Sequence, residues 1–304
     1  MVLSVGEILV DMIGEATPSG FVYQRKAGGA PFNVACTIAQ LKGRVAFVGC
    51  VGDDLIGQYL IEFAKQRHFE HLDIRSDSAR NTTLAFVELD ETGERSFCFY
   101  RHNTADYHLP AISDELLKQA KIVHIGSLML STEEGREYAL NLADRAHQNG
   151  ALVSFDVNYR DDIFQNAQEA KAIFLRLIAK ADLLKLSEEE VEILASAELD
   201  EALKTKWIFI TLGKDGSKYI HKEDSGTAPS ISVKVVDTTG AGDAFYGGVL
   251  HYLDALDTAA WNQENLVKAL RFGNICGALN TEHKGAIEHL PSLDDVLSHI
   301  GGER

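Results

Sequence analysis

Short apolar runs recur through the last two thirds of this chain and alternate with stretches that have a helical pattern. The runs are 121–126 (KIVHIG), 151–156 (ALVSFD), 181–186 (ADLLKL) and 207–213 (WIFITLG). Between them, 132–149 sets Leu140, Ala143 and Ala146 among charges, 166–180 repeats the helical pattern, and a Glu-rich helix starts at 187. Short buried runs that alternate with amphipathic helices make βαβ units, and these build a parallel sheet covered on both faces. The first eleven residues and 44–51 (RVAFVGCV) fit the same sheet.

Two stretches break the rhythm. Residues 14–30 are polar and Gly-rich, and 82–101 (TTLAFVELDETGERSFCFYR) holds two strand-like runs around 90–94. The second is a hairpin signal. Together they predict a small β-sheet projecting from the α/β body. No repeat or low-complexity tract is visible, and no linker divides the 304 residues into two sequential domains. One large α/β domain with insertions accommodates that length.

With 45 acidic against 29 basic side chains, the net charge is −16. Such a chain repels a phosphate backbone at long range, which argues against nucleic acid as a partner. Apolar stretches are interrupted before the ~20 residues that span a membrane. The N-terminus has no basic n-region or cleavage site and reads as a first strand, not a signal peptide. Cys36, Cys50, Cys98 and Cys276 form no Cys-x-x-Cys pair. Free thiols in a reducing cytoplasm are the simplest account.

The chemistry concentrates in 236–248 (VDTTGAGDAFYGG), which follows the strand-like run 231–236 (ISVKVV). Gly240 and Gly242 permit close backbone approach. The amides of Ala241, Gly242 and Asp243 fall at a helix N-terminus, an anion site by its free N–H groups and dipole. Beside a transferring phosphoryl group, the Asp243 carboxylate can take the proton of an attacking hydroxyl. A simple N-cap is the competing role for Asp243. A dinucleotide loop does not fit, since Phe245 stands where its third glycine belongs. No Walker A loop occurs in the chain.

The stretch 236–245 (VDTTGAGDAF) resembles the C-terminal signature of the ribokinase-like (PfkB) carbohydrate kinases. Their N-terminal signature is similar to 28–35 (GGAPFNVA), followed by a helix and 48–54 (VGCVGDD), about 200 residues upstream. The resemblance covers essentially the whole chain. It implies a single doubly wound, mostly parallel α/β domain over 1–304, with a β-sheet lid from two insertions at about 14–30 and 82–104. Sugar would lie between lid and body, with the nucleotide along the C-terminal part of the sheet.

Carried over by position, Asp243 is the catalytic base, and the amides of Gly240, Ala241, Gly242 and Asp243 form the anion hole. Asp11, ending the first strand, Gly28, Gly29 and Asn33 would meet the sugar. Arg101, with Ala105 and Asp106, resembles a fructokinase stretch and would join them. In 156–160 (DVNYR), Asn158 would face nucleotide and metal, and Arg160 the sugar or the phosphates. Lys185 and Glu190 of KLSEEE would serve the nucleotide, Glu190 through a magnesium-bound water. Thr211, Gly213 and Gly216 would contact the nucleotide, as would Asn274 and Asn280 in 273–284. Potassium would sit near Asp237, Thr239 and Gly285.

Each has a plainer alternative: a strand end for Asp11, a turn for Gly28–Gly29, and an exposed lid arginine for Arg101. Arg160 could pair with Asp161 or Asp162, 211–216 could be a hairpin turn, and Ser187 with Glu190 a capping box. The expected reaction is transfer of the γ-phosphoryl group of ATP, with Mg²⁺ and K⁺, to a primary hydroxyl of a sugar. GGAP, the lid segment and KLSEEE resemble the fructokinases. 2-Keto-3-deoxygluconate, ribose and aminoimidazole riboside are alternative acceptors. A non-catalytic binding relative is the alternative of another class. A homodimer joined through the lid is expected, because an open sheet leaves edges to cover.

Overall fold

In the computed structural model, residues 1–18, 20–89, 95–160, 163–164 and 166–301 are described. The strands in chain order are β1 (Val2–Val5), β2 (Leu9–Thr17), β3 (Gly20–Gly28), β4 (Val45–Gly52), β5 (His71–Asp77), β6 (Leu84–Leu89) and β7 (Arg95–Tyr100). β8 (Ile122–Ile125), β9 (Leu152–Asp156), β10 (Leu183–Ser187), β11 (Trp207–Thr211), β12 (Ser217–His221) and β13 (Asp224–Ala228) follow. Nine of them form one sheet in the order β13-β12-β11-β10-β9-β8-β1-β4-β5. Every pairing from β11 to β5 is parallel, while β11, β12 and β13 are antiparallel.

The apolar runs are buried on both faces because successive side chains enter opposite cores. Leu3, Val123, Val153 and Leu184 pack on one side, with Ala139, Leu142, Phe174 and Leu177 from the helices Glu133–Gln148 and Ala167–Lys180. Val2, Ile122, Leu183 and Phe47 pack on the other, with residues of the helices Ala30–Gln40, Ala241–Asp254 and Gln263–Asn280. The result is a doubly wound, mostly parallel sheet between helices, the architecture that the resemblance implies.

A second sheet, ordered β3-β2-β6-β7, stands apart from the first. β2 pairs antiparallel with β3 and parallel with β6, and β6 pairs antiparallel with β7. The turn expected at 90–94 lies outside the described residues. On the outer face of this sheet Tyr23, Phe86 and Tyr100 form an edge-to-face ladder, and Phe21, Tyr23 and Tyr100 are exposed.

Three sequence expectations are corrected. The first eleven residues are not one strand. β1 ends at Val5, Gly6 turns the chain at φ 151°, and Asp11 belongs to β2 in the second sheet. Residues 231–236 pair with no strand. Instead, the amides of Val236 and Asp237 both donate to the carbonyl of Thr281 at 2.7 and 3.0 Å, and Val235 and Val236 stay exposed. β5, β12 and β13 extend the sheet beyond the runs read from sequence. No helix among the described residues is long and apolar enough to cross a membrane. Cys36, Cys50 and Cys276 are buried free thiols and Cys98 is an exposed one.

Candidate active site

The helix Ala241–Asp254 starts from Gly240, whose φ of 73° lies in the left-handed region that favours glycine. A Cβ there would also lie 2.8 Å from the Cα of Ala286. Among the described residues the N–H groups of Gly240, Gly242 and Asp243 find no acceptor, so three donors remain for an anion. The expectation for Ala241 is corrected. Its N–H donates to the carbonyl of Thr238 at 3.2 Å and serves the turn itself.

Asp243, in the first turn of that helix, accepts a hydrogen bond on Oδ2 from Asn33 Nδ2 at 2.8 Å. Asn33 is buried on the helix Ala30–Gln40, and its Oδ1 has no partner among the described residues. Burial lifts the Asp243 carboxyl above its ordinary value, against the pull of Asn33, Lys185 and Arg160. The result is a carboxylate held by an amide, more basic than an exposed one and less readily ionised.

Two clefts meet at the turn. One, of about 360 Å³, is lined by Asp243, Asn33, Asp11, Gly29, Asn158, Arg160 and Lys185, with Glu7, Leu9, Phe99 and Leu128 completing its walls. The other, of about 580 Å³, is lined by Thr211, Gly213, Lys214, residues 230–233, Val235, Phe245, Asn274, Gly277, Ala278 and Thr281. Thr238 and Gly242 line both. A group bound in the second cleft can therefore reach one bound in the first across Gly242, which has no side chain of its own to stand between them.

Lys185 on β10 lies at this junction. Its Nζ is 3.1 Å from Asp156 Oδ2 and 3.3 Å from where a Cβ of Gly242 would stand. Burial works against its charge, yet Asp156, Glu190 and Asp243 outweigh that and hold its pKa above the ordinary lysine value. A cation fixed beside free N–H donors suits a phosphoryl group. Asp11 is pushed up to about 7 by burial, with Glu288 adding and Arg160 opposing. Gly28 faces it closely, since a Cβ there would meet Asp11 Oδ2. Gly29, at φ 111°, admits the carbonyl of Glu7 in the same way.

The remaining expected residues divide between the clefts and the structure around them. Arg101 is neither at the cleft nor exposed: its Nε is 2.6 Å from Asp106 Oδ2, and Nη1 donates to Tyr107, Ser131 and the Leu128 carbonyl. Asn158, at φ 39°, lines the first cleft, not the nucleotide-side one. Glu190 lines neither, because Oε1 accepts from the Tyr159 amide and Oε2 from the Ser187 amide, both at 2.7 Å, closing a capping box. Gly216 closes the β11–β12 hairpin. Asn280 Nδ2 donates to the Thr239 carbonyl, and Asn274 Nδ2 to Ala228. Asp237 accepts from the amides of Thr239 and Gly285 at 2.8 and 2.9 Å, which gathers those three residues into one loop cluster. Asp161 and Asp162, the alternative partners of Arg160, lie outside the described residues.

Sequence reading missed Glu7, which belongs to no motif, and the 230–235 wall, which had the pattern of a strand. His124, beneath the site, is buried against Ser154, and burial lowers it to about 3.

The pfkB family carbohydrate kinase model matches residues 1–293. Fructokinase-1 of Zea mays is 38% identical over 99% of this chain and 97% of its own length. Fructokinase of Xylella fastidiosa with bound ATP superposes with a TM-score of 0.92 at 33% identity, covering 98% of this chain and 97% of that one. Fructokinase from Vibrio cholerae O395, in its fructose, ADP and calcium ion bound form, gives a TM-score of 0.85 at 32% identity over 98% and 97%.

Proposed function

The chain belongs to the pfkB family of carbohydrate kinases, and from that premise we propose that it is an ATP-dependent fructokinase, forming fructose 6-phosphate from D-fructose. The observation that carries the reading is the junction itself: Asp243 in one cleft, a second cleft behind Gly242, and unpaired N–H donors between them. MgATP would occupy the larger cleft and the sugar the smaller. Asp243 would take the proton of the primary hydroxyl as its oxygen attacks the γ-phosphorus in line. The N–H groups of Gly240, Gly242 and Asp243, with Lys185, would stabilise the charge spreading onto the phosphoryl oxygens.

Asp11, Asn33 and Arg160 would hold the sugar. Its cleft is lined by Glu7, Asp11 and Asp243 together with Arg160 and Lys185, a near-balanced set of charges that suits a neutral polyol. The free N–H donors and Lys185 fit a polyphosphate, which would carry Mg²⁺ with it. Glu190 has both oxygens on backbone amides and would reach the ion only through water. Magnesium would supply charge neutralisation on the phosphates. A monovalent cation would sit beside the Asp237, Thr239 and Gly285 cluster.

The exposed aromatics of the second sheet support a homodimer through that face. The buried thiols suit a reducing cytoplasm. The test is ADP release, coupled to a reporter, over fructose, ribose, 2-keto-3-deoxygluconate and aminoimidazole riboside. Fructose should give the highest kcat/KM, by tenfold or more. A different best acceptor would refute the sugar assignment, and no sugar-dependent ADP release would refute catalysis.

A further inference from the structure

Glu7 lies in the short link between β1 and β2 and lines the smaller cleft. It is fully buried, yet neither carboxylate oxygen has a hydrogen-bond partner among the described residues. Arg101, the cation that most offsets it, directs its donors to Asp106, Tyr107, Ser131 and the Leu128 carbonyl. Room for the carboxylate is built in, since a Cβ at Gly126 would lie 2.6 Å from Glu7 Oε2. Burial pushes the group up to about 7, so near neutrality it can accept or donate a hydrogen bond. A buried, unpartnered carboxyl is costly, and an apolar side chain of the same volume would serve the core better. Asn33 Oδ1 is a second unpartnered acceptor in the same cleft.

Resting on the sugar-kinase reading above, we propose that Glu7 is a specificity-determining residue that binds one hydroxyl of the neutral acceptor sugar, directly or through one water. It makes and breaks no covalent bond. Its role is to complete the sugar's hydrogen bonding at the wall shared with Asp11 and Asn33.

The test compares wild type, Glu7→Met and Glu7→Gln. Glu7→Met keeps length and removes the polar head. Its unfolding midpoint should be unchanged or higher, because a buried unpaired charge is gone. Its KM for ATP should stay within about twofold and its KM for fructose should rise about tenfold or more. Glu7→Gln should recover most of that loss. Monodeoxyfructoses should identify one position whose deletion penalises wild type and adds no further penalty to Glu7→Met. A wild-type KM for fructose in Glu7→Met, or a lowered midpoint with no rescue by Gln, would overturn the assignment. If Glu7→Met does not fold, Glu7→Gln decides through the same panel, with an unchanged deoxy pattern against the proposal. A wild type without sugar-dependent ADP release would overturn the kinase reading and this assignment together, before any variant is compared.

Discussion

Replacing Asp243 by Asn removes the base while leaving its surroundings in place. The new amide oxygen can still accept from Asn33 Nδ2, which now donates at 2.8 Å, so the side chain keeps its position. Lys185 and the free N–H groups of the turn are untouched, and MgATP should bind within about twofold of wild type. Loss of a general base costs about 10²–10⁴ in rate, or about 2.7–5.4 kcal/mol of barrier at 1.36 kcal/mol per decade. The drop should therefore be at least about a hundredfold and should appear in kcat. In wild type the base works only when ionised, so kcat falls as pH falls through its pKa. Burial places that limb above the ordinary carboxylate range. Reading kcat at saturating fructose keeps Asp11 and Glu7, which act on binding, out of the profile. In Asp243→Asn the acid limb should vanish. Turnover above a tenth of wild type, or an unchanged limb, would remove Asp243 from the base role.

Gly240→Ala should lower stability by about 2–4 kcal/mol, combining left-handed strain with the clash on Ala286. A wild-type denaturation midpoint would contradict the turn geometry. Arg101→Met should cost about 3–5 kcal/mol, because it strands the buried Asp106 charge, with little change in the KM for fructose. Unchanged stability with a tenfold higher KM would make Arg101 a sugar ligand instead. Glu7 and Asp11 bind protons more tightly folded, near 7, than unfolded, near 4.5 and 3.8. Their stabilisation is full below the unfolded values and is lost as pH rises through about 7. These two carboxyls should thus contribute up to about 3 kcal/mol to the fall in ligand-free stability from pH 6 to pH 8, and Glu7→Met should remove about half of that share. A flat or rising denaturation midpoint would contradict the burial of these two carboxyls.

The parallel sheet was legible because each of its central strands is buried on both faces, which leaves an unbroken apolar run such as 151–156. The 231–236 run misled because it alternates like a strand, yet its end is tied to the Thr281 carbonyl through the amides of Val236 and Asp237 and it joins no ladder among the described residues. Residues 1–11 misled for the opposite reason: they read as continuous, and only the positive φ of Gly6 divides them between two sheets. In the site, the 240–243 turn is local and could be read directly. The Asn33–Asp243 hydrogen bond joins residues 210 apart, so spacing gave no sign of it. Glu7 could not be found from sequence at all, because a glutamate among apolar residues looks the same whether it is solvated or sealed. Arg101 was expected to meet the sugar, whereas Asp106, five residues on, holds it inside the protein.

The β2–β3 hairpin enters directly after Glu7 and leaves directly into Gly29 and the helix that carries Asn33. It therefore has no slack tether at either end. A rigid displacement of this hairpin would carry Asp11 with it and drag on both anchors, so covering the cleft and gripping its contents would be one mechanical event. A molecule too small to touch Asp11 would give such a movement nothing to grasp.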